Sequence, residues 1–260
     1  MSELLPGLRR DHAVDVVIAN GENIAGGLGV TRSTLGELCA AGVDVVTSGN
    51  HIWHHSEIVD YLADDHPLVR PLNYPPAAPG RGYHLFGGLL VVNLIGRTFM
   101  ASYDCPFRAM DALLASPPEG TRAVVVDFHA EATSEKLALG HYLDGRVAAV
   151  LGTHTHVQTA DERVLAGGTA YVTDCGMTGP LESVLGIRPD IILRRYLTGL
   201  PTKFELASGP CLLSGAVVEI DAGSGRAMRI ERVARRAGRP GRAVTARARR
   251  GRVDADGDAD

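Results

Sequence analysis

Six runs along the chain are almost wholly apolar and rich in β-branched residues, and each stops in small or polar residues. They are AVDVVIAN (13–20), VDVVTSGN (43–50), LLVVNLIG (89–96), AVVVDFHA (123–130), VAAVLGTHTH (147–156) and TAYVTDCG (169–176). Runs without strict alternation predict strands buried on both faces, as in sheets covered by other layers. Between some of them lie segments with helical spacing, at 31–41, 56–63 and 107–115. The alternation of strand and helix predicts an α/β fold. Near the end, SGAVVEID (214–221) and RAMRIERV (226–233), joined by AGSG, predict a closing hairpin.

After residue 236 the pattern stops. Residues 237–260 hold Arg, Gly, Ala and Asp with almost nothing able to pack, which predicts a disordered tail and leaves 1–236 as one domain. Charge divides the chain in the same way. The net charge of −4 hides eleven Arg against one Glu over 226–252 and four closing Asp, so residues 1–225 carry −10. Clustered Arg can contact nucleic-acid phosphates, but the tail lacks aromatic stacking residues and the body is acidic, so a solvated extension is the preferred reading. No run approaches 18 apolar residues, and the opening MSELLPGLRRDH is charged where an export signal needs an apolar stretch. A cytoplasmic protein without a membrane anchor is expected. Cys39, Cys105, Cys175 and Cys211 lie far apart, which points to reduced, mostly buried thiols rather than a disulfide framework or a cysteine zinc site.

The chemistry sits where the strands stop, at Asn20 to Asn23, Asn50 with His51, His129, and His154 with His156. Loops at the carboxyl ends of strands converge in α/β sheets while the strands hold them rigid. Each cluster alone has a plain explanation. Asn20, Gly21 and Asn23 suit a turn, an Asn-His pair after a strand can be structural, His129 could be a core histidine, and GTHTH could carry two surface histidines. Together they supply what a two-metal hydrolytic site requires: a carboxylate, Glu22, able to bridge cations, amide and imidazole ligands, and a nearby acid. Competing motifs are thin. GGLGV (26–30) lacks the Lys and Ser/Thr of a P-loop and reads as a flexible rim loop, and no G-x-S-x-G occurs. His54 and His55 read as rim or helix-start residues. Arg97, Arg108 and Lys136 could steer a phosphate or pair with the carboxylates of the body.

In this order the motifs NGEN, TSGNHIW, VRPLNYP, NLIGRTFM, DFHAEATSEK, GTHTHVQTAD and TDCGMTGP resemble the calcineurin-like metallophosphoesterases, and more closely their YmdB-type branch, over about residues 3–233. The resemblance implies a β-sandwich flanked by helices and a dinuclear metal site, with iron the expected metal and manganese the alternative. It implies hydrolysis of cyclic nucleotide phosphodiesters, 2′,3′-cyclic ones above all, and makes a homo-oligomer plausible. Carried over residue by residue, Glu22 is the bridging carboxylate, Asn23 and His156 hold the first metal, and Asn50, His129 and His154 hold the second. His51 is the general acid that protonates the leaving oxygen after attack by a metal-bridging hydroxide.

One motif departs from the family. Its first strand ends in G-D-x-x-G, whose Asp binds the first metal, whereas here the family pattern starts at the end of the first helix. The first strand and its aspartate are therefore expected to be missing, with a gap or exposed edge in one sheet and a weakened first metal site. A start codon lying upstream is the preferred explanation, because the rest of the ligand set is intact. The alternative function is a non-catalytic metal- or nucleotide-binding regulator.

Overall fold

The computed structural model describes residues 1–63 and 66–237. The chain opens with helix α1 (Leu5–Asp11), strand β1 (Ile18–Asn20), α2 (Arg32–Ala40), β2 (Val45–Thr47) and α3 (Glu57–Tyr61). The central part runs β3 (Tyr83–Phe86), β4 (Leu89–Ile95), α4 (Pro106–Ala115), β5 (Ala123–His129), α5 (Thr133–Tyr142) and β6 (Ala149–Thr153). It continues through β7 (Arg163–Val164), β8 (Ala170–Val172), β9 (Gly179–Pro180) and α6 (Pro189–Thr198), and closes with β10 (Cys211–Ile220) and β11 (Ala227–Arg236).

The six-stranded sheet has the order β3-β4-β5-β6-β8-β7, with the four inner strands parallel and both edges antiparallel. Its inner strands are the apolar runs, and the two sides of the pleat separate structure from chemistry. Leu90, Val92 and Leu94 of β4, Val124, Val126 and Phe128 of β5, and Val150 of β6 pack on Met110 of α4 and on Leu139 and Leu143 at α5. The opposite side carries Val125 and Leu151, packed with Ile18 of β1 and with Val218, Ile220 and Ile230 of the closing hairpin. Asp127, His129 and Thr153 share that side by the strand period of two. A sheet face covered by helices, opposite a face covered by strands, is the flanked sandwich arrangement expected from the sequence.

The strand layer is in two pieces, the parallel pair β1-β2 and the antiparallel sheet β11-β10-β9. Among the described residues β1 pairs only with β2, and β10 meets β9 only at Cys211 and Leu212. A cavity of about 1380 Å³ runs between β1 and β10, past Val125 and Asp127, to the strand ends.

Some expectations need correction. The run 13–20 yields a strand of only three residues, because Ala13 takes a positive φ of 49° and the preceding segment turns out of α1. Helices α5 and α6 have no counterpart among the predicted segments. The first begins directly after the ligand motif DFHAEA and its buried residues are mixed, Glu135, Lys136, Leu139 and Gly140, while the second buries only Ile192 and leaves its apolar face of Leu193, Tyr196 and Leu197 exposed. The four cysteines are free but half-buried rather than buried, although burial pushes the Cys175 thiol well above its ordinary pKa. No described helix is long and apolar enough to cross a membrane. The predicted tail lies outside the described residues apart from Ala237, whose amide donates to the Cys211 carbonyl.

Candidate metal centre

Strands β1, β2, β5 and β6 end side by side, and the loops beyond them bring the predicted ligands together. The turn after β1 is set by its own side chains. Asn20 Oδ1 accepts from the Glu22 amide at 3.1 Å, while Asn20 Nδ2 donates to the Ser48 carbonyl at 3.0 Å and to Asp127 at 2.9 Å. Asn20 is thus a structural tie between β1, β2 and β5, and the buried Glu22 carboxylate is what the turn delivers. Gly49 makes room for it, since a Cβ there would collide with both the Glu22 carboxylate and the His129 ring.

The tautomers around His129 follow from its outer partners. Thr153 Oγ1 donates to Asp127 at 2.7 Å, so its lone pair must receive the His129 Nδ1 proton at 3.0 Å. Asp127 also accepts from Asn20 and Thr47, and as a fully engaged acceptor it fixes the relay, though burial raises its pKa above the usual carboxylate range. In neutral His129, with its proton on Nδ1, Nε2 is the bare nitrogen. His154 Nε2 lies 3.0 Å from Glu131. Burial first, then the adjacent His129, lowers the His154 pKa, so the ring is neutral and the contact is a hydrogen bond that leaves Nδ1 bare.

Four lone-pair atoms now face one another without a proton between them. His154 Nδ1 lies 3.0 Å from His129 Nε2, and Asn50 Oδ1 and Glu22 Oε2 lie 3.0 and 3.1 Å from the same nitrogen. Four converging acceptors repel one another unless a cation sits among them, and two neutral imidazoles with hydrogen-bonded outer nitrogens, a carboxylate and an amide oxygen form a donor set suited to a transition metal. Ligand atoms of Glu22, His129 and His154 all fall within 4.8 Å of one another.

The other Glu22 oxygen faces a second group. Oε1 accepts from Asn23 Nδ2 at 3.1 Å and lies 3.3 Å from His51 Nδ1, while Asn23 Oδ1 is 2.8 Å from that same nitrogen. His156 Nε2 is 3.3 Å from Asn23 Nδ2, and His156 Nδ1 is buried with no partner among the described residues. Burial would raise the Glu22 pKa, but the adjoining His129 ring and a hydrogen bond from His51 outweigh it and hold the carboxylate well below its usual range. The same bond raises the pKa of His51, which sits half-exposed at the rim. Burial lowers that of His156. All seven predicted site residues thus meet in one cluster, Glu22 turning one oxygen to each half.

Both loop histidines have positive φ, 97° at His154 and 67° at His156, a region that costs non-glycine residues energy. What holds them is buried Asp174. Its Oδ2 accepts from the Thr155 amide at 3.0 Å, from Thr155 Oγ1 at 2.7 Å and from Lys136 Nζ at 2.9 Å, and its Oδ1 accepts from the Gly176 amide at 2.8 Å. Lys136, considered above for steering phosphate, is only 1% exposed and serves this carboxylate instead. Sequence reasoning missed Asp127, Thr153 and Asp174. The first could have been found, because Asp127 and His129 are two apart on one strand and so share a face. His54 and His55 belong to the rim as expected, with His55 Nε2 against the Leu28 carbonyl at 3.0 Å.

Comparison with known proteins gives a consistent result. The family described as YmdB-like protein matches residues 1–233. A 2′,3′-cyclic-nucleotide 2′-phosphodiesterase from Bacillus subtilis is 48% identical over 237 residues, 90% of each chain. A crystal structure of a hypothetical protein from Thermus thermophilus superposes with TM-score 0.84 at 46% identity, covering 90% of this chain and 92% of that one. A structure titled a novel phosphatase, from Mycoplasma pneumoniae, gives TM-score 0.84 at 32% identity, covering 90% and 87%.

Proposed function

Because the chain belongs to the YmdB-like family, we propose that it is a metal-dependent phosphodiesterase that hydrolyses cyclic nucleotides, 2′,3′-cyclic ones first. The observation that carries this reading is the convergence of Glu22 Oε2, Asn50 Oδ1, His129 Nε2 and His154 Nδ1 as bare acceptors. The name of the Bacillus relative supplies the substrate class, and named phosphodiesterases and phosphatases among the relatives favour catalysis over a binding-only regulator.

In this reading the cluster takes two metal ions, iron with manganese as the alternative. Asn50, His129 and His154 would hold one, Asn23 and His156 the other, and Glu22 would offer one oxygen to each. The ions when bound supply Lewis acidity and a nucleophile at neutral pH. The protein's own groups do the rest. Asp127 and Asp174 fix the ligand rings before substrate arrives. His51, whose Nδ1 is engaged by Asn23 and Glu22, presents Nε2 to the leaving oxygen and gives it a proton. The half around Glu22 Oε2 gathers more ligand atoms at short range than the half around Asn23 and His156, so we expect one tightly held metal and one weaker one.

The four separate free thiols suit the reducing cytoplasm, and the exposed Leu193, Tyr196, Leu197 and Leu200 of α6 and its C-terminal turn suit self-association. The test is to load the protein with Fe²⁺ or Mn²⁺, measure metal content, and assay 2′,3′-cyclic AMP, 3′,5′-cyclic AMP and bis-p-nitrophenyl phosphate before and after chelation. Metal-dependent cleavage strongest on the 2′,3′-cyclic substrate is expected. Nucleotide binding without turnover in any metal form would overturn the enzymatic reading.

A further inference from the structure

A phenylalanine stands almost wholly in water on the turn that leaves β4. Phe99 is 86% exposed and has a φ of 61°, a conformation a bulky aromatic residue rarely adopts. The turn that carries it is anchored at both ends. At its start, the Gly96 amide donates to the His129 carbonyl at 2.9 Å, which joins the turn to the end of the ligand strand β5. The amides of Arg97 and Thr98 then donate to the buried Glu135 carboxylate at 3.0–3.1 Å. At its end, the Met100 amide closes back on the Arg97 carbonyl at 3.2 Å. The Met100 side chain packs in the cluster that contains Ile52 and Trp53, directly after His51.

The turn therefore bridges the His129 side and the His51 side of the metal cluster, and its backbone is pinned while its one large side chain is held outward. Neither folding nor packing calls for an exposed ring at strained φ. Strain of this kind, maintained by several fixed hydrogen bonds, marks a position kept for a ligand. A cyclic nucleotide whose phosphate lies on the cluster carries a flat, apolar base a few ångströms away, on the rim.

We propose that Phe99 is the stacking platform for the nucleobase of the substrate, a specificity residue that binds the base without touching the reacting phosphorus. The proposal rests on the cyclic-nucleotide reading above. Every base offers a π-face, so stacking confers preference for nucleotides over simple phosphodiesters and for purines over pyrimidines, with little choice within each class.

The test compares wild type with Phe99→Ala, Phe99→Leu and Phe99→Trp in metal-loaded full-length protein, on 2′,3′-cyclic AMP and on methyl riboside 2,3-cyclic phosphate, which has no base. Calorimetric affinity for adenosine 2′-monophosphate gives a readout independent of turnover. For the Ala and Leu variants KM on the nucleotide should rise roughly 5- to 100-fold, with kcat changed less than about 3-fold. The baseless substrate should be unaffected, and Trp should restore nucleotide affinity. Equal losses on both substrates, wild-type behaviour of Phe99→Leu, or no change in Phe99→Ala would each overturn the proposal. If wild type neither cleaves nor binds the adenine nucleotides, the nucleotide reading falls together with the platform. If wild type cleaves them and Phe99→Ala matches it, only the platform falls.

Discussion

Removing the Asp174 charge should destabilise the protein more than any single surface change. Lys136 and Asp174 are each 1% exposed and lie 2.9 Å apart on α5 and on the segment after β8. In Asp174→Asn the ammonium loses its counter-charge in a place water does not reach. Breaking a buried pair from one side costs about 3–5 kcal/mol, because the remaining charge is left uncompensated. Total stabilities are only about 5–15 kcal/mol. For a domain of this size each kcal/mol moves Tm by roughly 2–4 °C, so the loss should be about 6–20 °C. Lys136→Met should cost less, since Asp174 keeps three donors, from Thr155 and Gly176. The double variant Lys136→Met/Asp174→Asn removes both charges and should recover much of the loss, giving a coupling of about 2–4 kcal/mol in a double-mutant cycle. Urea unfolding and differential scanning calorimetry on all four proteins measure this. Additive single effects, or an Asp174→Asn variant within about 1 kcal/mol of wild type, would refute the claim that the pair is a buried, coupled unit. Because Asp174 also pins Thr155 between two strained histidines, metal affinity should fall in Asp174→Asn even at temperatures where the protein stays folded.

Three further outcomes are expected. Gly49→Ala should abolish metal binding while circular dichroism stays native, because the new Cβ displaces the Glu22 carboxylate and the His129 ring; retained metal content would show that the close approach is not needed. His51→Ala should lower kcat by about 10²–10⁴-fold with metal content unchanged, and full activity would remove His51 as the acid. Asp161 is partly buried, which alone would raise its pKa, but Thr159 and Thr173 donate to it and hold it below the usual carboxylate range. A depressed folded pKa gives stability that is complete above the unfolded value and is lost as pH falls through the folded one. Asp161→Asn should therefore be less stable than wild type at pH 7, with the gap closing below about pH 4; a gap independent of pH in thermal melts would contradict this.

Much of this was legible before folding. The β-branched runs announced the inner strands of the main sheet, because a strand buried on both faces can afford few polar residues, and ligand types gathered at their ends. Where signals were short or mixed, reading failed. β1 shrank to three residues because the chain leaving α1 must turn at Ala13, and α6 was missed although Leu193, Tyr196 and Leu197 recur at helical spacing, on a face that the fold leaves exposed.

The ligand inventory itself was a property of the sequence, since residue type alone determines which atoms can hold a cation or pass a proton. Which of those atoms carry protons was decided only in three dimensions. The relay from His129 through Thr153 to Asp127, the contact of His154 with Glu131, and the Asp174 clamp under Thr155 join residues up to 26 positions apart. Hydrogen bonding across strands has no local sequence signature, so the tautomers that turn a collection of histidines into a metal site could emerge only from the fold.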